Sequence, residues 1–172
     1  RRSSDLMGME EHRPVFGKLS NYFDDTQSED IFDYIPPQKT NQIFTPKHIV
    51  KQMVDLLEQE NPGCFDDPSK TFADLYMKSG LYIAEIVKRL FNSNGMKQAY
   101  PDKAKRLQHI FEKQVYGLAP TEIIYQIALH FILGFDDGNL IRNHHLRQCD
   151  ALPLAKNGTL ESKLDAIFDS IE

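Results

Sequence analysis

Three short segments hold the side chains whose types and spacing could do chemistry: Asp74 to Gly80, Leu118 to Pro120, and Asp150 to Leu152. Each follows a run of strand-forming residues, and the first two open a helical pattern. Asp74 and Asp150 are carboxylates, acceptors for amino and hydroxyl groups. In Lys78-Ser79-Gly80 a residue without Cβ lets the backbone come close to a ligand, although one glycine in one turn is more often a plain loop. No Gly-x-Gly-x-x-Gly is present to seat a pyrophosphate on a helix N-terminus, and no Walker loop, which leaves ligands without phosphates.

Other residues invite blander readings. His144 and His145 could be half a metal site, but neighbours on a strand point to opposite faces and no carboxylate or cysteine sits at ligand spacing. A packed or solvated pair is the better reading, and no metal is expected. Cys64 and Cys149 lie far apart without Cys-x-x-Cys spacing, as unpaired thiols do in a reducing compartment. Asp24-Asp25 and Asp136-Asp137 lack the alternation of a calcium loop. Tyr76 and Met77 fit a ligand pocket and a packed core equally well.

The elements that must position these segments alternate. Thr45-Pro46 reads as a helix start with a hydroxyl cap, and Ile49, Val50, Met53, Val54 and Leu57 recur on one face until Asn61-Pro62-Gly63. Thr71 to Leu75 is a strand candidate, and Ile83, Ile86, Val87 and Leu90 mark the next helix. A helix follows over Asp102 to Glu112, with Leu107, Ile110 and Phe111 inward. Val115 to Leu118 is a second strand, followed by a helix that turns Ile123, Ile124, Ile127, Ala128 and Phe131 to the core. His145 to Cys149 is a third strand, and from Thr159 a helix gathers Leu160, Leu164, Ile167, Phe168 and Ile171. This order predicts an α/β fold with a parallel, doubly wound sheet, whose ligands bind at the carboxyl ends of the strands near a switch point. Residues 1–39 form an arm rich in acids and aromatics that ends in Ile35-Pro36-Pro37, with short helical turns expected.

Bulk properties narrow the class. The 172 residues suit one domain, and 41% hydrophobic with 26% charged residues is ordinary for a soluble protein. No apolar run is long enough to span a membrane. Arg1-Arg2-Ser3-Ser4-Asp5 has neither a signal-peptide core nor an initiating Met, as an excised piece or internal boundary would look. A formal charge of -5 argues against this segment supplying most of any nucleic-acid affinity. A cytoplasmic location without membrane association is expected.

The segments together resemble one family. Phe44-Thr45-Pro46-Lys47-His48-Ile49-Val50, followed by Met53, resembles the Phe-Thr-Pro segment ahead of the core in adenine-specific DNA methyltransferases of restriction–modification systems. Phe72 to Ile83 sits where that family has Asp-Pro-x-x-Gly-Ser-Gly-x-Phe-Leu. Val115 to Leu118 resembles its second strand, and Gln148-Cys149-Asp150-Ala151-Leu152 its third motif. The similarity runs from Gln42 to Leu152 in the family's order.

The resemblance implies a Rossmann-like methyltransferase fold and S-adenosylmethionine as cofactor. Thr45 would lie near its methionine end, and the turn of Asp74, Lys78, Ser79 and Gly80 would hold the amino acid moiety. Leu118 and Ala119 would flank ribose and adenine, with Asp150 on the adenine amino group and Leu152 beside the ring. It further implies double-stranded DNA as the partner of the full-length protein, with a nuclease, helicase or target-recognition domain fused to it. Residues 40–172 would then be the front of the methyltransferase domain, ending before the Asn-Pro-Pro-Tyr loop that holds a flipped adenine. The departures are Leu75 for the family's proline, Lys78 for its first turn glycine, and Ala119 for the acid on the ribose, where Glu122 offers a substitute. They keep open a degenerate, non-catalytic domain serving as scaffold or DNA-recognition platform. A related methyltransferase acting on RNA or on a protein glutamine is a third reading.

Overall fold

The computed structural model describes residues 45–134 and 141–169. The arm over residues 1–39, the Asp136-Asp137 loop and Ile171 therefore lie outside the described residues. Helix α1 spans Lys47–Glu60, strand β1 Phe72–Asp74, and helices α2 Leu81–Asn92, α3 Asn94–Ala99 and α4 Lys103–His109. A π-helical turn, Ile110–Gln114, leads into β2, Val115–Ala119; then come α5 Glu122–Leu133, β3 His145–Gln148, α6 Ala151–Lys156 and α7 Leu160–Asp169.

The strands form one three-stranded sheet, ordered β1-β2-β3. Both pairings are parallel: Phe72 sits opposite Val115, Asp74 opposite Gly117, Tyr116 opposite His145 and Ala119 opposite Gln148. This is the α/β arrangement that the alternation of patterns predicts, with helices on both faces, compatible with a Rossmann-like fold. The order runs with the sequence, so no switch point falls among the described residues. Each crossover instead adds a strand on the same side.

Alternation along the strands sorts the core. Val115, Gly117 and Ala119 face α2 and α5, where Val50, Val54, Ile83, Val87, Leu90, Ala128, Ile132 and Leu146 make the larger core. Tyr116 and Leu118 face the opposite way, into a smaller cluster with Ala151, Phe168, Leu160, Leu164 and Ile167. Burying a large aliphatic side chain contributes roughly 1.5–3 kcal/mol, so the larger cluster dominates the stability and α7 is held lightly.

Several local expectations are corrected. Thr45 does not cap α1: the N-cap is Pro46, whose carbonyl accepts from Ile49 and Val50, so the threonine hydroxyl stands one residue too early. Met53 is exposed at the edge of the apolar face. Ile123 is 64% exposed, because it falls on the outward face of α5 with the exposed Gln126 and His130; Tyr125 and Ile132 face inward with Ile124, Ala128 and Phe131 instead. The helix expected over Asp102 to Glu112 is α4 plus the π turn, with Asp102 accepting from the Lys105 N–H as its cap. Helices α3 and α6 were not expected, although Ser93 and Asp150 are cap residues with N–H partners at Met96 and Leu152.

Helix α1 lies along α2 and runs in the same direction. The Tyr82 hydroxyl meets the Met53 sulfur at 2.6 Å, and Arg89 binds Asp55 and, at 3.0 Å, Glu58. Arg89 also holds Glu85, which is only 2% exposed, at 2.9 Å. Arg106 is buried, its guanidinium 4.6 Å over the Phe91 ring.

Candidate functional site at the carboxyl edge of the sheet

Parallel strands end together, so Asp74, Ala119 and the Cys149-Asp150 pair reach one edge from three distant parts of the chain. Two backbone bonds fix the register there: Met77 N–H donates to the Leu118 carbonyl at 2.7 Å, and Cys149 N–H to the Ala119 carbonyl at 2.8 Å. With strands about 4.8 Å apart, Asp74 and Asp150 stand roughly 10 Å from each other across β2.

Asp74 ends β1 and folds back into an Asx turn, accepting the Tyr76 N–H at 3.1 Å. Burial pushes its carboxyl above the usual carboxylate range, and that hydrogen bond only partly offsets the shift. Next to it, Tyr76 is 39% exposed while Met77 is fully buried, its sulfur filling the space beside Gly117. The pair thus splits between surface and core. Ser79 is buried, its Oγ accepting the Leu81 N–H at 3.3 Å.

Gly80 is the N-cap of α2 at φ 82°, in the left-handed region. A Cβ there would stand 2.7 Å from Ile132 Cδ1. The packing of α2 against α5 therefore accounts for this glycine in full, without any ligand. Ser79 Oγ takes the Leu81 N–H, and Gly80 has no side chain to cap the N–H groups that follow, so these open α2 at the carboxyl edge.

Asp150 is exposed and caps α6, accepting from the Leu152 N–H at 3.1 Å. Leu152 is 46% exposed. Leu118 and Ala119 are fully buried, the first facing α7 and the second the larger core, so they offer the edge only backbone. Glu122 accepts from Gln126 Nε2 at 2.8 Å. Lys78 is half-buried beside the turn. Thr45 is brought near by α1: since Met53 pairs with Tyr82, the start of α1 projects about 7.5 Å beyond that of α2, on the carboxyl side.

The edge thus joins Asp74, the first turn of α2 and Asp150, with Tyr76, Ile123 and Leu152 exposed on the loops and helix starts after the strands. Sequence reasoning left Tyr76 open between pocket and core and missed Ile123 as a rim residue; the signal for both was position, since each lies just past the end of a strand. Cavities of about 370 Å³, lined by Cys64, Lys70 and Phe72, and about 330 Å³, lined by Glu85, Lys88 and Arg89, lie at the other end of the sheet. Among the described residues, no three His, Cys, Asp or Glu converge to hold a metal, and no helix is long and apolar enough to cross a membrane. Cys64 and Cys149 are free thiols, both pushed up by burial.

Fold and edge define a class: an α/β protein with a parallel sheet and carboxylates at the strand ends. No family model matches the chain. It is similar to a Mycoplasma pneumoniae protein described as an uncharacterized adenine-specific methylase, 24% identical over 98 residues. The match takes in 57% of this chain and 23% of that protein, so the chain spans about a quarter of its relative's length. The similarity supports a methyltransferase-like relationship.

Proposed function

We propose that the chain is the cofactor-holding part of an S-adenosylmethionine-dependent DNA methyltransferase that modifies the exocyclic amino group of adenine within a restriction–modification protein. The observation that carries this reading is the convergence of Asp74, the first turn of α2 and Asp150 on one edge, in a relative of a protein named for adenine methylation.

The groups present fit the two ends of the cofactor. Asp74, partly buried and short of positive partners, accepts the methionine ammonium. The backbone N–H groups opening α2 receive its carboxylate, with the helix dipole adding to the attraction. Asp150 uses the carboxylate oxygen not engaged with Leu152 to accept from the adenine amino group, and Leu152 lies against the ring. The bound cofactor supplies an activated methyl group. The chain itself fixes the position of that group, and positioning supplies much of the rate in such transfers. Ala119 gives the ribose hydroxyls no carboxylate. One absent charge-assisted hydrogen bond costs on the order of 1.5–3 kcal/mol, or roughly tenfold to a hundredfold in affinity.

Titration calorimetry with S-adenosylmethionine tests the site. Weak binding is expected, reduced about tenfold or more by Asp74→Asn and by Asp150→Ala. Binding untouched by both changes would place the ligand elsewhere. The buried, apolar ends of β2 favour a second reading, a methyltransferase-like scaffold or DNA-recognition platform. Failure of both this chain and the full-length parent to bind the cofactor would select it.

A further inference from the structure

His145 opens β3 and its ring meets Phe168 of α7. We propose that the protonation state of His145 controls the docking of α7 on the sheet, so that α7 releases as the pH falls. The inference does not rest on the cofactor reading.

The geometry is a four-part contact. The His145 ring stacks on Tyr116, centroids 4.5 Å apart, and Phe168 of α7 meets Tyr116 edge-on at 5.0 Å and His145 at 6.4 Å. The Phe111 carbonyl of the π turn lies on the side of His145 that favours its protonated form, while Nδ1 is buried with no hydrogen-bond partner. A proton placed on Nδ1 meets no acceptor there.

Charged groups face the ring from several elements. Arg147 on β3 and Lys113 in the π turn oppose a further positive charge. Asp169 on α7 and the Phe111 carbonyl favour it, as does the face of Tyr116 through a cation–π contact. Burial outweighs these favourable groups and, with the two cations, holds the imidazole below its ordinary range.

The sign follows from linkage. Above about pH 6.5 the imidazole is neutral whether α7 is docked or not, and docking carries no penalty. Below it, the undocked state takes up a proton that the docked state refuses, so docking weakens. The effect reaches at most about tenfold at pH 5.5, the limit for one proton. Opening at α7 is the low-energy response. Phe168, 8% exposed, is the buried side chain of α7, and an Arg147 N–H, 3.2 Å from the Phe168 carbonyl, ties its end to β3. Release uncovers Leu118 and Ala151, so the ends of β2 and β3 loosen with it.

Hydrogen exchange of the whole chain, corrected for intrinsic rates, reads this directly at about pH 7.5 and about pH 5.5. Protection of the α7 peptides should fall up to about tenfold relative to α2 at the lower pH, and His145→Phe should abolish the difference. Equal α7 protection at both pH values, or the same loss in His145→Phe, overturns the proposal. Should that variant not fold, an NMR titration of the wild-type imidazole, assigned with His145→Gln, decides instead. A midpoint below about 6.5 supports the switch, and one at or above it sinks the idea.

Discussion

Asp74 carries two opposing demands at the scale of one residue. Its carboxyl is pushed up by burial, so the folded chain holds the ionised form at a disadvantage. A raised carboxyl pKa makes the unfolded chain release its proton first. Stability linked to Asp74 is therefore complete below about pH 4 and is lost as the pH rises through the folded pKa. Asp74→Asn keeps an oxygen for the Tyr76 N–H and removes the charge. It should raise the thermal midpoint at neutral pH, with the gain vanishing near pH 4, while weakening cofactor binding. Thermal scans across pH check the first effect, and an unchanged midpoint at neutral pH would count against the burial argument. A carboxylate that lowers stability at the carboxyl edge of a parallel sheet is the pattern expected of a binding group.

Elements meet most tightly at the turn into α2. Gly80 needs a positive φ and leaves no room for a Cβ beside Ile132. Gly80→Ala should cost about 2–4 kcal/mol, combining the left-handed penalty with overpacking. Ile132→Val removes the Cδ1 atom in the way, so the double variant should be more stable than the sum of the single ones by about 1 kcal/mol. Strict additivity in urea denaturation would show that the two helices can shift apart instead. The same geometry means that a loss of ligand binding in a bulky Gly80 variant reports folding as much as binding.

For the whole molecule, the formal charge of -5 and the absence of an Asn-Pro-Pro-Tyr segment set the expectation for catalysis. Without groups to hold a flipped adenine, a bound methyl donor has no positioned acceptor. This chain alone should transfer no labelled methyl to DNA above a no-protein control. Measurable incorporation would remove the need for a separate base-holding segment and would redirect the search to the carboxyl edge itself.

Local patterns determined the order of the main elements, because periodicities of two and of 3.6 residues are written in the chain: β1, β2, β3 and the longer helices lie where alternating and amphipathic runs put them, whereas the short α3 and α6 follow from their caps. They also marked Asp74, Gly80 and Asp150, since acids and glycines at strand-to-helix turns are visible as residue types. Tertiary structure alone decided which way the side chains look. Leu118 and Ala119 are neighbours, yet they enter different cores, and Ile123 keeps its place in an apolar pattern while standing in solvent. It also decided why Gly80 is glycine, for Ile132 lies 52 residues further along the chain. A periodic pattern gives an element its type and inward face, but depth of burial depends on where neighbours end, and those neighbours are brought together only by the sheet.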